Sequence, residues 1–563
     1  MTVSIRRYAA IAAAIGLAGA ALLLRGNGGD VAPERTTSVN PVSIGAVCSQ
    51  VPDIAVANPD ERLLRHVLDR AGYGPRPGDI EQLRQIGIAA YLTQQLTPDA
   101  IPDAALDARL ASFETQHMST SELVESFYQP LIMVRRTDQF LPRSPVDDSS
   151  AGDSSAGTEE PDPDDGVRRR ATLAYEELRQ QKLLRAIASE RQLQEVLVDV
   201  WFNHFNVAAR KGVVWLYLTE YERDAIRPHV LGRFRDLLGA VAESPAMLFY
   251  LDNWLSSDPD GPNPVTVARD REMGSVSRAV RGLLDLLSPP SDAVPDQLRR
   301  AIYDRQRAPG LNENYARELL ELHTLGVDGG YTQADVVEVA RAFTGWTLDD
   351  PGGQGGGFVF EPRIHATGEK TVLGTVIEGG GQDEGLAILD LLARHPSTAR
   401  LVATKLARRF VADDPPASVV DRAAACFLAS GGQLKEVVRT ILLSPEFLDS
   451  SAYGIKVKTP LEFVVSAVRA IDADVQDVGS LVGTLRQLGM PSYEFQPPTG
   501  YPDRAEDWVN AGALLARMDF AVALAAGQVG GVVVDTAGRS ANLPGATPEQ
   551  LALTLGASAF QRR

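Results

Sequence analysis

The stretch from Leu311 to Val336 reads LNENYARELLELHTLGVDGGYTQADV and contains a complete helix–turn–helix pattern. Asn312 is a suitable N-cap, because its side-chain oxygen can accept a hydrogen bond from a free amide of the first turn. Gly326 provides the stop at the other end. Thr332 can then cap a second helix over Gln333 to Phe343. The same periodicity recurs along most of the chain, for example over Asp79 to Leu96, where it predicts one helix. It predicts an all-α fold, a large multi-helix body.

The first helix of this pattern carries a histidine on its apolar face. Apolar side chains recur there at three- and four-residue intervals, as on one face of a helix; they are Tyr315, Ala316, Leu319, Leu320 and Leu322. His323 falls within this arc, and we therefore expect its imidazole to be buried. Glu318 borders the same arc and can turn its carboxylate inward.

A second histidine has the same placement in the stretch from Glu190 to Asn206. The polar residues of this predicted helix share one side, namely Gln192, Glu195, Asp199, Asn203 and Asn206. His204 lies almost opposite them and should also point inward. A neutral buried imidazole needs a hydrogen-bond partner for each ring nitrogen, one as donor and one as acceptor.

Two interpretations of these histidines stay open. In the first, each ring is hydrogen-bonded separately to a carbonyl or a neighbouring side chain of the core, as buried polar groups usually are. In the second, His204 and His323 share a site, as metal ligands or as an acid–base pair with Glu318 nearby. Because no HExxH or CxxC spacing is present, the identity of any metal or other cofactor stays undetermined.

One region departs from the helical periodicity. Residues 352–378 predict a small β-hairpin, with Phe358–Phe360 and Thr371–Ile377 as its two strands. His365 lies near the tip of this hairpin. A loop histidine is usually exposed, but loops on a rigid scaffold often carry function. The alternative is that His365 completes a site with the two helical histidines.

The N-terminal segment suggests an exported protein. Residues 1–25 contain the adjacent Arg6 and Arg7 followed by an apolar run, which is typical of a signal peptide or signal anchor and offers a contact with a membrane. Residues 26–57 are predicted as a linker, and residues 58–563 as the helical body. Residues 141–167 are acidic and rich in Ser, Gly and Pro, which predicts a disordered insertion. We expect an extracytoplasmic location, secreted, periplasmic or membrane-anchored.

Charge and cysteine content exclude several classes of function. The formal net charge of −18 argues against a nucleic-acid partner, since a phosphate binder needs a basic surface. Only two cysteines are present, Cys48 and Cys426, so that a disulfide framework and a zinc ribbon are excluded. One bridge is conceivable in an exported protein, although Cys426 is most simply a small core residue.

Other motifs give little support to a particular reaction. No GxSxG elbow, GxxxxGK[ST] loop or GxGxxG turn follows a predicted strand, which argues against serine hydrolases, nucleotide hydrolases and dinucleotide-binding enzymes. The segment YEFQPPTGYPDRAEDW contains Pro497, Pro498, Gly500 and Tyr501. It is predicted as a rigid aromatic loop that either forms the wall of a cleft or joins two helices.

Several motifs together resemble the bacterial family of domains of unknown function numbered 1800 (DUF1800). They are NENYARELLELHTLGVDGGYTQADV, ARAFTGWTL, HVLDRAGYGP, RAIASERQLQEVLVDVWFNHFNV, IHATGEKTVLG, HPSTARLVATKLARRFV and PTGYPD. The resemblance runs from about Glu61 to the C-terminus and implies an exported, largely helical protein of the cell envelope. It implies no reaction. Genes of this family often neighbour those of sulfatase- or phosphatase-like exported proteins, which implies such a protein as a partner.

This chain departs from the family pattern at two positions. The family usually has a His-Asp pair where this chain has His365-Ala366, and it usually reads FWHNHF where this chain reads VWFNHF. A metal site built from those family positions would lack ligands here. Two functions therefore stay open. One is an envelope-associated hydrolase that uses His204, His323, His365 and Glu318; the other is a non-catalytic scaffold or partner of an extracytoplasmic enzyme.

Overall fold

Helices dominate the computed structural model, which describes residue 48, residues 59–130, 163–264, 267, 310–349, 356–534 and 547–563. These residues form 22 α-helices, so that the prediction of an all-α fold is confirmed. The helices are α1 (Glu61–Arg70), α2 (Asp79–Ile86), α3 (Ile88–Gln95), α4 (Ala104–Leu110), α5 (Thr120–Leu123), α6 (Pro163–Ala188), α7 (Gln192–His204), α8 (Val214–Glu220), α9 (Phe234–Ala242), α10 (Pro245–Tyr250), α11 (Glu313–Glu318), α12 (Gln333–Ala342), α13 (Gln382–Ala393), α14 (Pro396–Phe410), α15 (Ala417–Ala429), α16 (Leu434–Leu442), α17 (Pro445–Leu448), α18 (Pro460–Ala470), α19 (Gly479–Gln487), α20 (Ala505–Trp508), α21 (Ala511–Ala525) and α22 (Pro548–Gly556).

The helix–turn–helix pattern forms with the predicted caps. The Asn312 side chain accepts a hydrogen bond from the amide of Tyr315 at 3.1 Å and starts α11. Gly326 ends this unit with a φ of +86°, the left-handed conformation that favours glycine. Thr332 and Asp335 form a reciprocal capping box at the start of α12. The N-cap, the glycine stop and the second cap were thus all readable from the sequence.

A π-helical turn was not predicted. The chain from Leu319 to Thr324 follows α11 directly and is wound with i to i−5 hydrogen bonds. The amide of Leu325 donates to the carbonyl of Leu320 at 2.7 Å. This wide turn changes the direction of the side chains that follow it, and it carries His323. Turns of this kind are frequent at functional sites.

Glycine also divides a helix that was predicted as continuous. The periodicity from Asp79 to Leu96 predicted one helix, but the structure has α2 and α3, which meet at Gly87. This residue has a φ of +82°, and its amide donates to the carbonyl of Leu83. A left-handed residue cannot continue a right-handed helix, so that the single-helix prediction was wrong.

The strands pair differently from the predicted hairpin. Strand β1 (Trp346–Leu348) pairs with β2 (Phe358–Phe360), and β3 (Lys370–Val372) pairs with β4 (Thr375–Ile377), both antiparallel. The latter pair is a hairpin by itself, because the two turn residues, Leu373 and Gly374, both have positive φ, as in a type I′ turn. The predicted pairing of 358–360 with 371–377 was wrong, since apolar alternation does not name a strand's partner. A third pair joins β5 (Asp474–Val475) to β6 (Val532–Val533).

The core of the body contains large aromatic side chains from distant parts of the chain. Trp201, Trp215 and Trp346 are completely buried, in one apolar cluster that extends from Leu63 to Leu555. Residues 44–563 form one compact unit. A disulfide between Cys48 and Cys426 joins the N-terminal segment to α15, with the two Cα atoms 4.9 Å apart. The bridge that the sequence allowed is therefore present.

Several predictions fall on residues that the structure does not describe. These are the signal segment at residues 1–25, most of the linker, and residues 141–162 of the predicted disordered insertion. The remainder of that insertion, residues 163–167, forms the beginning of α6. None of the helices in the described ranges is both long and apolar enough to span a membrane.

Candidate functional site

A cleft of about 430 Å³ lies where α7, α14 and the start of α18 face the loop that precedes α20. Its lining residues come from four segments of the sequence. They are Asp199, Val200, Asn203, His204, Lys405, Arg408, Arg409, Thr459, Glu462, Met490, Phe495, Thr499, Gly500, Tyr501, Pro502, Asp503, Arg504 and Asp507. The lining therefore combines charged side chains with apolar and aromatic groups.

A chain of hydrogen bonds leads from the cleft into the core. The Nζ atom of Lys405 lies 2.8 Å from Nδ1 of His204, and Nε2 of His204 lies 3.1 Å from the backbone carbonyl oxygen of His323. A carbonyl oxygen can only accept, so that Nε2 of His204 carries the proton and donates. Nδ1 is then the acceptor for the Lys405 amine. His204 thereby holds the amine at the surface of the cleft.

The electrostatic environment keeps both imidazoles neutral and lowers the pKa of the lysine. Burial lowers the pKa of His204 well below its usual value, and the neighbouring Lys405 adds to this effect. Burial, again with Lys405, lowers the pKa of His323 to about 3. The pKa of Lys405 itself is lowered to about 8, first by burial and then by the positive charge of Arg408. An amine in this range can exchange a proton near neutral pH.

The two histidines lie close together, but their rings do not form a pair. The ring centroids of His204 and His323 are 6.3 Å apart, and the ring of Phe205 contacts both. Their hydrogen bond uses the backbone of His323 and not its ring. Nε2 of His323 is buried and has no hydrogen-bond partner among the described residues. His323 does not line the cleft. It contributes to the site through its backbone carbonyl oxygen, which accepts the hydrogen bond from His204.

The aromatic loop of the sequence forms a wall of the cleft. Asn203 at the end of α7 donates to the Tyr501 carbonyl at 2.7 Å and accepts from the Tyr501 amide at 2.6 Å. Asn206 donates to two further carbonyl oxygens of the same loop, those of Phe495 and Pro497. The polar stripe of α7 thus fixes this loop in position. Of the two alternatives for the segment, the cleft wall is confirmed.

Gly500 permits the close approach of this loop to α7. It has a φ of +71°, and a Cβ atom at this position would lie only 2.1 Å from the backbone oxygen of Asn203. A side chain there would force the loop away from the helix. The glycine is therefore required for the shape of the cleft wall.

Two carboxylates of the cleft, those of Glu462 and Asp503, are paired with buried cations. Glu462 contacts the guanidinium groups of Arg409 and Arg563. Burial alone would raise the pKa of Glu462, but these two cations outweigh burial and lower it to about 2. Asp503 contacts Lys456 at 3.4 Å and Arg563 at 3.8 Å. This network leaves the Glu462 carboxylate charged.

Two cations of the cleft differ from this pattern. Lys405 and Arg408 lie one helical turn apart on α14, and within the described ranges neither forms an ion pair with a carboxylate. Arg408 donates from Nε to the backbone oxygen of Asp413 at 3.0 Å, which leaves its two terminal nitrogens available to other acceptors. The cleft therefore presents an amine and a guanidinium that no carboxylate of the described residues neutralises.

The other two predicted site residues lie outside this cleft. Glu318 is half-buried at the end of α11, where burial, and then the nearby Glu321, raise its pKa. His365 is buried and not exposed at a hairpin tip: its Nδ1 lies 2.8 Å from the carbonyl oxygen of Thr344, and its Nε2 lies 3.2 Å from a carboxylate oxygen of Glu384. No contact between described residues joins His365 to either helical histidine.

Lys405 is the residue that sequence reasoning missed. It lies in the segment HPSTARLVATKLARRFV, which contributed to the family resemblance, but α14 carries several basic residues with the same helical spacing. Only the packing of α14 against the end of α7 distinguishes Lys405 from its neighbours. The metal interpretation gains no geometric support, because the described residues contain no group of three or more His, Cys, Asp and Glu side chains placed to hold an ion.

Comparisons with known proteins agree with the motifs on which the resemblance rested. No curated protein matches this sequence, and no solved structure matches it. A family model matches residues 66–563, from the histidine of HVLDRAGYGP to the C-terminal arginine, and this range includes every residue of the cleft. The chain therefore belongs to the family described as "Protein of unknown function (DUF1800)".

Proposed function

We propose that this protein is an exported hydrolase of an envelope or polymeric substrate, and that Lys405 is its general base. The observation that carries the proposal is the hydrogen bond between the Lys405 amine and Nδ1 of His204 in an accessible cleft. A lysine with a lowered pKa can act as a base near neutral pH, whereas an exposed lysine remains protonated there. His204 is a positioning residue in this scheme.

The reaction follows from the hydrogen bonds of the amine. A neutral amine still donates one N–H to Nδ1 of His204, and its lone pair is then free on the side of the cleft. The lone pair takes a proton from a water molecule, and the resulting hydroxide attacks the electrophilic atom of the substrate. The bond to the leaving group breaks, and the ammonium of Lys405 returns the proton to that group. The amine is thereby regenerated with no further reactant.

Export is part of this proposal and has two supports. One is the N-terminal segment, with its paired arginines and apolar run. The other is the disulfide between Cys48 and Cys426, because structural disulfides are typical of oxidising compartments outside the cytoplasm.

The test is a comparison of wild-type protein with Lys405→Met on four soluble chromogenic substrates: a carboxylic ester, a phosphate ester, a sulfate ester and a glycoside. We expect hydrolysis of one class, rising as pH increases through about 8 and lost in the variant. Arg400→Met is the matched control, since Arg400 lies on the same helix, is exposed and pairs with Asp421. Failure to hydrolyse any class, or full activity of Lys405→Met, would reject the proposal.

A second candidate function is that of a scaffold, and one observation favours it. Helix α21 exposes several large apolar side chains along one face: Leu514, Leu515, Met518 and Val522. Contiguous exposed apolar groups often mark interaction sites. A sulfatase- or phosphatase-like exported protein, which the family resemblance implies as a neighbour, is the partner proposed for this face. Co-purification with such a protein from the native cell, lost in Leu515→Glu and retained in Lys405→Met, would favour the scaffold.

A further inference from the structure

Arg408 is the second cation of the cleft that lacks an acidic partner in the described part of the chain. The pairing of its Nε with the Asp413 carbonyl fixes the guanidinium plane and leaves both terminal nitrogens for other acceptors. Side chains three residues apart on a helix lie on the same face, so that this group lies next to the Lys405 amine. Two neighbouring positive charges repel each other, and this repulsion is reduced when an anion binds between them.

Of the four acidic side chains that line the cleft, three pair with other cations, and the fourth, Asp507, is exposed and forms no ion pair with a described residue. Asp199 pairs with Lys182, Glu462 pairs with Arg409, and Asp503 pairs with Lys456. A rigid guanidinium with two free N–H groups matches the geometry of an oxyanion and can bind it with two parallel hydrogen bonds.

Another part of the cleft lining is apolar. Met490, Phe495, Tyr501 and Pro502 provide an apolar and aromatic surface. The Tyr501 ring packs against Phe495 with centroids 4.5 Å apart, and its hydroxyl donates to the carbonyl of Pro491. The face of this ring is held in one orientation, which suits contact with a flat or cyclic group.

We propose that the ligand of this cleft carries an oxyanion group, a carboxylate, phosphate or sulfate, which binds to Arg408, and a ring or apolar portion, which packs against Tyr501. This inference rests on the proposed function, since it names the substrate class of the same site. The oxyanion places the substrate beside the Lys405 amine.

The experiment uses two aldehydes that react with lysine and differ in one group. Pyridoxal 5′-phosphate carries a phosphate, and 5-deoxypyridoxal has a methyl group instead. The amine attacks the aldehyde carbon, water leaves, and borohydride reduces the imine to a stable product. Mass spectrometry of peptides then gives the extent of labelling at Lys405. We expect half-maximal labelling at a concentration at least about tenfold lower for the phosphate compound, from charge-assisted hydrogen bonds.

Variants assign this preference to Arg408. Arg408→Met should abolish the difference between the two aldehydes, Arg408→Lys should keep part of it, and the control Arg400→Met should keep all of it. Inorganic phosphate, sulfate and acetate, added separately, should protect Lys405 and show which oxyanion is preferred. Thermal unfolding of each variant checks that the fold is intact.

Each outcome separates the two proposals. Equal labelling by both aldehydes, or a preference that survives Arg408→Met, overturns the oxyanion site and leaves Lys405 as a base. If 5-deoxypyridoxal labels Lys405 no faster than the exposed lysines, the proposed base itself fails. A preference that depends on Arg408, together with protection by one of the three anions, supports the inference.

Discussion

Nζ of Lys405 lies 2.8 Å from Nδ1 of His204, although the two residues are 201 positions apart in the sequence. Neither helix forms the site alone: α14 provides the amine, and the last residue of α7 provides the acceptor. The second ring nitrogen of His204 is held by a carbonyl oxygen of the π-helical turn. The imidazole therefore has a fixed tautomer, and the direction of the amine is set by the packing of three elements.

The first prediction concerns the two hydrogen bonds of this imidazole. His204→Phe keeps an aromatic ring against Phe205 but leaves the His323 carbonyl and the Lys405 amine without a partner. An unsatisfied buried polar group costs about 1–3 kcal/mol, and we expect a loss of this size in the free energy of unfolding, measured with urea. His117→Phe is the control, because His117 is exposed and its replacement should change stability by less than about 0.5 kcal/mol. Equal stability of His204→Phe and wild type would contradict this account.

The second prediction is acid destabilisation through His323. Its pKa is about 3 in the folded protein, against an ordinary value of 6.5. Between these values the unfolded chain binds a proton that the folded protein does not, so that stability is complete above pH 6.5 and falls as pH decreases towards 3. One buried histidine with this shift contributes up to about 5 kcal/mol.

His323→Leu tests this directly. The variant should lose less stability than wild type between pH 6.5 and pH 3, measured by urea unfolding at several pH values. His66, whose pKa is also lowered to about 3, retains its own contribution and serves as an internal reference. Parallel pH curves for variant and wild type would show that His323 titrates normally in the folded state.

The third prediction uses two glycines with the same backbone conformation. Gly500 and Gly374 have φ values of +71° and +74°, but a Cβ atom would clash with the Asn203 backbone oxygen only at Gly500. Gly374→Ala should cost about 1–2 kcal/mol, the strain of the left-handed conformation. Gly500→Ala should cost more and should also slow the labelling of Lys405, because the loop must move. Similar losses at both positions would argue against a role for close packing.

The sequence predicted the local structure of this protein better than its long-range contacts. The caps at Asn312 and Thr332 and the stop at Gly326 depend on residues a few positions apart, and all three were read correctly. The π-helical turn after α11 and the partner of Phe358–Phe360 depend on tertiary packing, and neither could be read from periodicity.

The candidate site shows the same division. Helical periodicity placed both His204 and His323 in the interior, and the structure brings their rings within 6.3 Å. What periodicity could not give was the partner of the imidazole, since Lys405 comes from a helix two hundred residues away. The buried position of His365 was also missed, because the carboxylate beside it belongs to Glu384 of α13.

The fourth prediction is that reduction destabilises the protein. The bond between Cys48 and Cys426 closes a loop with a sequence separation of 378 residues, and closing a long loop restricts the unfolded chain. Reduction, or the double replacement Cys48→Ala with Cys426→Ala, should lower the free energy of unfolding by about 2–5 kcal/mol. Thermal unfolding with and without a reductant measures this. The double variant should not respond to the reductant; a response would indicate an effect unrelated to the bridge.

The last prediction separates the apolar face of α21 from the stability of the fold. Leu515 and Met518 are 61% and 53% exposed, whereas the opposite side of α21 packs through Phe520 and Leu524, which are buried. Leu515→Glu with Met518→Glu should therefore change the free energy of unfolding by less than about 0.5 kcal/mol per substitution. Phe520→Ala, on the buried side of the same helix, should cost about 3–5 kcal/mol. If the two glutamates destabilise the protein as strongly as Phe520→Ala, the exposed face is part of the fold and is not available for a partner.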